Sequence, residues 1–172
     1  MLCSIRERQV VFRTLRVCFT LAFVVCASAQ DTGTAAVDPI FVRYSVKVGF
    51  RGTPALPKQN TLLSRTFRTV IRREVAAGAN FADHYTLASW GCGGGCVAFS
   101  IIDDLDGTVY DFPYTVSSFG IQDSGVDWRR DSNAVHVVGS LNEGNNLADR
   151  WYVWDGKSLK KVFEKRAVHE DP

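Results

Sequence analysis

Residues 80–103 read N-F-A-D-H-Y-T-L-A-S-W-G-C-G-G-G-C-V-A-F-S-I-I-D, two apolar runs joined by glycines held between two cysteines. Runs of this length, bounded by turn residues and rich in aromatic and branched side chains, predict strands. Alternation puts His84, Thr86, Ala88 and Trp90 on one face and Tyr85, Leu87 and Ser89 on the other. The turn Gly91–Cys96 makes the pair a hairpin, because glycine supplies the positive φ a tight reversal needs.

From this patch onward the chain stays β. Strands are expected at 83–90, 96–103, 108–113, 134–139, 149–155 and 158–164. Asp106-Gly107 and Asp155-Gly156 each lie between apolar runs, which is a strong hairpin signal. Residues 114–133 carry no clear period. Upstream, Phe41 to Phe50 (FVRYSVKVGF) alternates as a half-buried strand would. Residues 60–77 form the one convincing helix: Leu63, Phe67, Val70 and Ile71 share a face, Asn60 is placed to cap the start and Gly78 to end it. The expectation is an α+β fold, one N-terminal helix packed on a mostly antiparallel β-meander sheet.

The first 29 residues read as export signal rather than fold. Arg6, Arg8, Arg13 and Arg16 precede an uncharged apolar run, Val17–Ala27, that ends in Ala27-Ser28-Ala29. Basic, apolar, then A-x-A is the pattern of a secretory signal peptide, and the run is too short to cross a bilayer as a helix. Cleavage near Ala29 would send the chain to the periplasm or outside the cell, with no transmembrane helix in the mature part. Lipidation of Cys26 is disfavoured by the bulky Val25 before it. The expected organisation is signal peptide 1–29, flexible leader 30–40, one globular domain 41–164 and a frayed tail 165–172.

Cleavage changes the electrostatics. The whole chain carries a formal charge of +2; losing four arginines and Glu7 makes it −1. A basic surface for nucleic acid therefore has no support. Of five cysteines only Cys92 and Cys96 remain. In an oxidising compartment an even pair at short spacing reads as a disulfide.

Other chemistry fits these residues less well. Cys92, Cys96 and His84 fall one ligand short of a zinc site, and no second knuckle exists. Redox exchange uses two intervening residues rather than three. The run Asp103-Asp104-Asp106-Gly107 lacks the distal glutamate of a calcium loop. No metal or cofactor is expected. His84, with Asp83 or Asp103 as orienter, is the one candidate general acid or base, and its ordinary alternative is a structural hydrogen bond. Trp90 with Gly93, Gly94 and Gly95 could present a binding surface. Arg65, Arg68 and Arg72, with Arg73 beside them, could face an anionic glycan or simply solvate the helix.

The segment Asn80–Cys96 resembles a family of small bacterial exported proteins that read N-F-A-G-H-Y, a short strand, then W-G-C-G-x-G-C. Asn80, Phe81, Ala82, His84, Tyr85, Trp90, Gly91, Cys92, Gly93, Gly95 and Cys96 match; Asp83 stands where glycine is usual. The resemblance extends through Asp131-Ser132 and Tyr152-Val153-Trp154-Asp155-Gly156. It implies an exported single domain and brings no activity with it. The leading functional expectation is a non-catalytic exported domain that binds an envelope protein or glycan. An inhibitor or immunity-type protein blocking a toxin or cell-wall hydrolase is the first alternative. A hydrolase using His84 with a nearby aspartate is the second.

Overall fold

The computed structural model describes residues 38–117 and 125–166. The expected signal peptide, most of the leader, Cys26 and the end of the tail lie outside the described residues. Three short helices precede eight strands: α1 (Pro39–Arg43), α2 (Leu62–Thr66), α3 (Arg68–Ala77), β1 (Tyr85–Gly93), β2 (Cys96–Asp103), β3 (Val109–Asp111), β4 (Val116–Ser117), β5 (Gly125–Trp128), β6 (Ala134–Leu141), β7 (Ala148–Trp154) and β8 (Leu159–Arg166). The class is α+β, with a single β-rich antiparallel sheet.

Strand order is β1-β2-β4-β6-β7-β8, with β3 beside β2 and β5 beside β6. β3 and β4 share one edge of β2, pairing Ser100 with Asp111 and then Val97 with Val116. Two extra residues between these pairings, around Pro113, break what would otherwise be one strand, since proline cannot donate to a ladder. β4 and β5 likewise share an edge of β6. At that junction Gly139 has φ +150°, and a Cβ there would lie 2.6 Å from the Ser117 carbonyl oxygen. Only a glycine lets β4 approach so closely.

The inner face of the sheet holds the main core. Leu87, Phe99, Ile101, Phe112, Val116, Val135, Val137, Tyr152 and Trp154 are all buried there. The sheet curls enough that Tyr85 and Tyr110, from its first half, meet Trp154 edge-on at 5.5 and 5.2 Å. On the outer face, α3 covers β1 and β2 with Ile71 and Val75 against Ala88, Trp90, Ala98 and Ile102. Separately, α1 sets Phe41 against Ala134 and Trp151.

The helical expectations need two corrections. Residues 60–77 form two helices, not one. Thr66 turns its hydroxyl back onto the Leu62 carbonyl at 3.0 Å, a contact that bends helices, and Phe67 ends α2 as it begins α3. Thr61, not Asn60, caps the start, in a capping box with Ser64. Asn60 instead brackets Val109, donating to its carbonyl at 2.9 Å and accepting its N–H at 3.2 Å. Gly78 ends α3 as expected.

The alternating stretch 41–50 is not a strand. Asp38 accepts the Ile40 N–H at 2.8 Å and Pro39 sits in the first turn, so the chain begins as helix. After Tyr44, residues 46–60 form neither helix nor strand and run as a strap tied to the rest of the fold. Val46 donates to the Asp131 carbonyl, Ala55 to that of Asp104 and Lys58 to that of Gly107, at 2.7–2.8 Å.

Candidate functional site

The turn that launches β1 is the first place to look. Ala82 and Asp83 have φ +39° and +71°, the left-handed region that favours glycine. The turn is held from the side: Asp83 donates its N–H to the Arg130 carbonyl at 2.8 Å, and Ala82 donates to that of Arg129 at 3.3 Å. Asp83 Oδ1 accepts the Gly49 and Phe50 N–H groups at 2.6 and 2.8 Å. Arg130 closes the knot by donating to the Asp83 and Phe50 carbonyls at 3.2 and 2.8 Å. The Phe50 N–H foremost, then that of Gly49 and the adjacent His84, hold the Asp83 carboxyl below the usual carboxylate range.

His84 lies in this turn, one residue before β1, and its carbonyl accepts the Asp104 N–H at 3.0 Å. Its side chain is 25% exposed. Nδ1 sits 3.3 Å from Asp83 Oδ2, and Nε2 lies 3.9 Å from Asp103 Oδ1. Asp103 Oδ1 is already taken up by the Leu105 N–H at 2.9 Å. The expected trio therefore does come together. Among the described residues, no hydroxyl or thiol bonds the ring, so the trio lacks a nucleophile in hand.

Beside it, Asp104 is 1% exposed. Its Oδ2 accepts from Thr86 Oγ1 at 2.8 Å, while Oδ1 is buried without a hydrogen-bond partner. Burial drives its pKa up to about 6, against the opposing hydrogen bond from Thr86.

The glycine turn is a hairpin tip. A disulfide joins Cys92 and Cys96, with Cα atoms 5.1 Å apart, within the span such a bridge allows. Gly93, Gly94 and Gly95 turn at the exposed tip with φ of +95°, +50° and +75°. Trp90 is not beside them on an open surface. Its ring stacks on Phe67 at 4.5 Å under the helices and is 8% exposed. Arg65, Arg68 and Arg72 are exposed, split between α2 and α3. Arg65 donates to the Gln59 carbonyl at 3.2 Å. No group of three or more metal-ligating side chains occurs among the described residues, and no helix among them is long and apolar enough to cross a membrane.

A second place was not expected from sequence. An open cleft of roughly 680 Å³ lies between the β3–β4 break, the β6–β7 turn and β8. That size falls within the range of small-molecule sites. Tyr114 stands on its wall, 40% exposed, edge-on to Phe112 at 5.4 Å. Arg150 lines the floor and is 3% exposed. It donates to the Gly139 carbonyl at 2.8 Å and to the Asn146 carbonyl, and its Nη2 lies 3.5 Å from Glu164 Oε1. Lys161 also pairs with Glu164, and Lys161 first, then Arg150, holds that carboxyl below its ordinary range.

The cleft draws on four separate elements, so no local motif announces it. One signal was present. Arg150 alternates with Tyr152 and Trp154 on the inner face of β7, and a cation at a core-facing position is unusual unless paired or used.

His136, on β6, pairs with Asp149 across the strand at 2.8 Å and stacks on Trp151 at 4.1 Å. Its ring is thereby committed to the outer face of the sheet.

No protein-family model, curated protein or solved structure matches this chain.

Proposed function

We propose that this chain is an exported, non-catalytic domain that binds an envelope component in the cleft between Tyr114, Arg150 and Lys161. Export rests on the basic, apolar and Ala27-Ser28-Ala29 pattern at the start of the sequence. The observation that carries the binding reading is the cleft itself. It is concave and combines a part-exposed aromatic wall with a buried arginine and a lysine, the mixture that small-ligand sites use for area and orientation.

The His84 cluster supports the non-catalytic part. Asp83 spends one carboxylate oxygen on two backbone N–H groups of the strap and offers the other to His84. That arrangement serves a turn in left-handed backbone. Catalysis would need a reacting group within reach of the ring.

The test is retention. The purified chain and its Tyr114→Ala variant are immobilised and exposed separately to protein and glycan fractions of an envelope extract. Retention of one fraction by the parent, lost in the variant, is the expected result. Equal retention by both would remove the cleft from the proposal. Turnover of an envelope substrate that disappears in His84→Ala would overturn the non-catalytic reading.

A further inference from the structure

We propose that the occupant of the cleft is a glycan whose pyranose units carry carboxylates. This rests on the cleft reading above and names its ligand class.

The charge of the cleft points to an anion. Arg150 is brought almost wholly out of water, and burying a guanidinium is costly unless it is paired. Its one carboxylate partner among the described residues, Glu164, is shared with Lys161. Two cations on one carboxylate leave the floor one unit positive. Lys161 keeps half of its side-chain surface exposed, so its ammonium can turn to an incoming carboxylate.

The layout repeats. A smaller hollow of roughly 220 Å³ adjoins the cleft and shares Phe112, Pro113 and Leu159 with it. It is lined by Tyr110 and Trp154 with Lys157 at its side. Asp111 also lines it, with Oδ1 taken by the Ser100 hydroxyl at 2.8 Å. Trp154 belongs to the core, so the repeat is Tyr114 by Lys161 in the cleft and Tyr110 by Lys157 in the smaller hollow. A chain of sugar rings, each with a carboxylate, matches that repeat better than a single anion does.

The aromatic geometry points to sugar rings. The C–H-rich face of a pyranose packs on an aromatic plane, and Phe112 fixes the Tyr114 ring by meeting it edge-on. Asn142, on the cleft wall, accepts the Thr115 N–H at 3.0 Å. Its amide nitrogen has no partner among the described residues and can donate to a hydroxyl. The walls are side chains, which suit a ring that stacks and accepts hydrogen bonds. Among the described residues β3 and β8, which border the hollows, each pair on one side alone, so a peptide main chain is the competing occupant that tetraglutamate tests.

Calorimetric titration of the purified full-length chain tests this with four probes: tetragalacturonate, its neutral methyl ester, the disaccharide of N-acetylglucosamine and N-acetylmuramic acid, and tetraglutamate. At least one acidic saccharide should bind roughly tenfold more tightly than the ester, the effect of one charge-assisted contact. Which one binds separates a ring carboxylate from a lactyl ether. Lys161→Ala and Lys157→Ala should each weaken the acidic saccharide roughly three- to tenfold and leave the ester unchanged. Tyr114→Ala should weaken both. All three side chains are exposed enough for the fold to survive their loss.

Equal affinity for acid and ester, or tetraglutamate binding as tightly as the saccharides, overturns the inference. If no saccharide binds while an envelope fraction is still retained through Tyr114, the ligand class is wrong and the cleft reading stands. If no fraction depends on the cleft, the cleft reading fails with it.

Discussion

Thr86 donates its hydroxyl to Asp104 at 2.8 Å, and neither side chain reaches solvent. The carboxyl is one that folding makes harder to ionise. Its pKa rises from the usual 3.8 to about 6. Below pH 4 the folded and unfolded chains both hold the proton, and the contribution to stability is complete. Between 4 and 6 the unfolded chain ionises first, so stability falls as pH rises, and above 6 the loss is constant. The size is up to about 3 kcal/mol. Asp104→Asn removes the titration while keeping an acceptor for Thr86. Urea denaturation should show the variant gaining on the parent between pH 4 and pH 7 by that order. A gap independent of pH would mean Asp104 titrates normally.

Asp83 has a φ of +71°, a conformation that glycine adopts without strain. Aspartate tolerates the conformation better than most residues, and its carboxylate ties the strap down at Gly49 and Phe50. Asp83→Ala combines backbone strain with two lost hydrogen bonds and should cost about 2–4 kcal/mol. Asp83→Asn keeps one acceptor and should cost about 1 kcal/mol or less. Denaturation midpoints that fail to separate the two variants would contradict the anchoring role.

Phe41 is the one wholly buried side chain of α1, edge-on to Trp151 at 4.9 Å. Phe41→Ala should destabilise by about 3–5 kcal/mol, as large core deletions do. The strand expected at this stretch would have left the outer face of β6 and β7 without this cover. A loss below 1 kcal/mol would show that α1 does not dock there in solution.

The Cys92–Cys96 bridge closes a very small loop, so its effect on the unfolded chain is limited. Replacing both cysteines by alanine should cost about 2 kcal/mol or less. Amide exchange should quicken at Gly93–Gly95 and stay unchanged in β6 and β7. Faster exchange across the whole sheet would assign the bridge a global role.

Much of the β architecture was legible because a strand buried on one face writes its period into the sequence. β1, β2, β6, β7 and β8 begin or end within three residues of the expected bounds, and the helical stretch and Gly78 stop were visible in the same way. β4 and β5 were not, since strands of two and four residues carry too little period to read. The stretch Phe41–Phe50 misled for the opposite reason. Its alternation is real, but Asp38-Pro39 is a helix start, and Val42, on the apolar side of that alternation, is 61% exposed. Of the candidate site residues, Asp83, His84 and Asp103 gathered through one turn and the end of the strand paired beside it. Trp90 could not be told from a surface aromatic until Phe67 was seen over it. The cleft depends on Tyr114, Asn142, Arg150 and Lys161 converging from distant positions, which no local pattern records.

The strap bears on the order of assembly. Its ties join partners far apart in the chain: Gly49 to Asp83, Lys58 to Asp106, Asn60 to Val109 and Phe50 to Arg130, the last across 80 residues. Each must close a large loop before it contributes anything, and hairpins such as β1–β2 close small ones. Loop closure therefore predicts that residues 46–60 dock after the hairpins pair, and amide exchange should be faster through them than through β1 and β2.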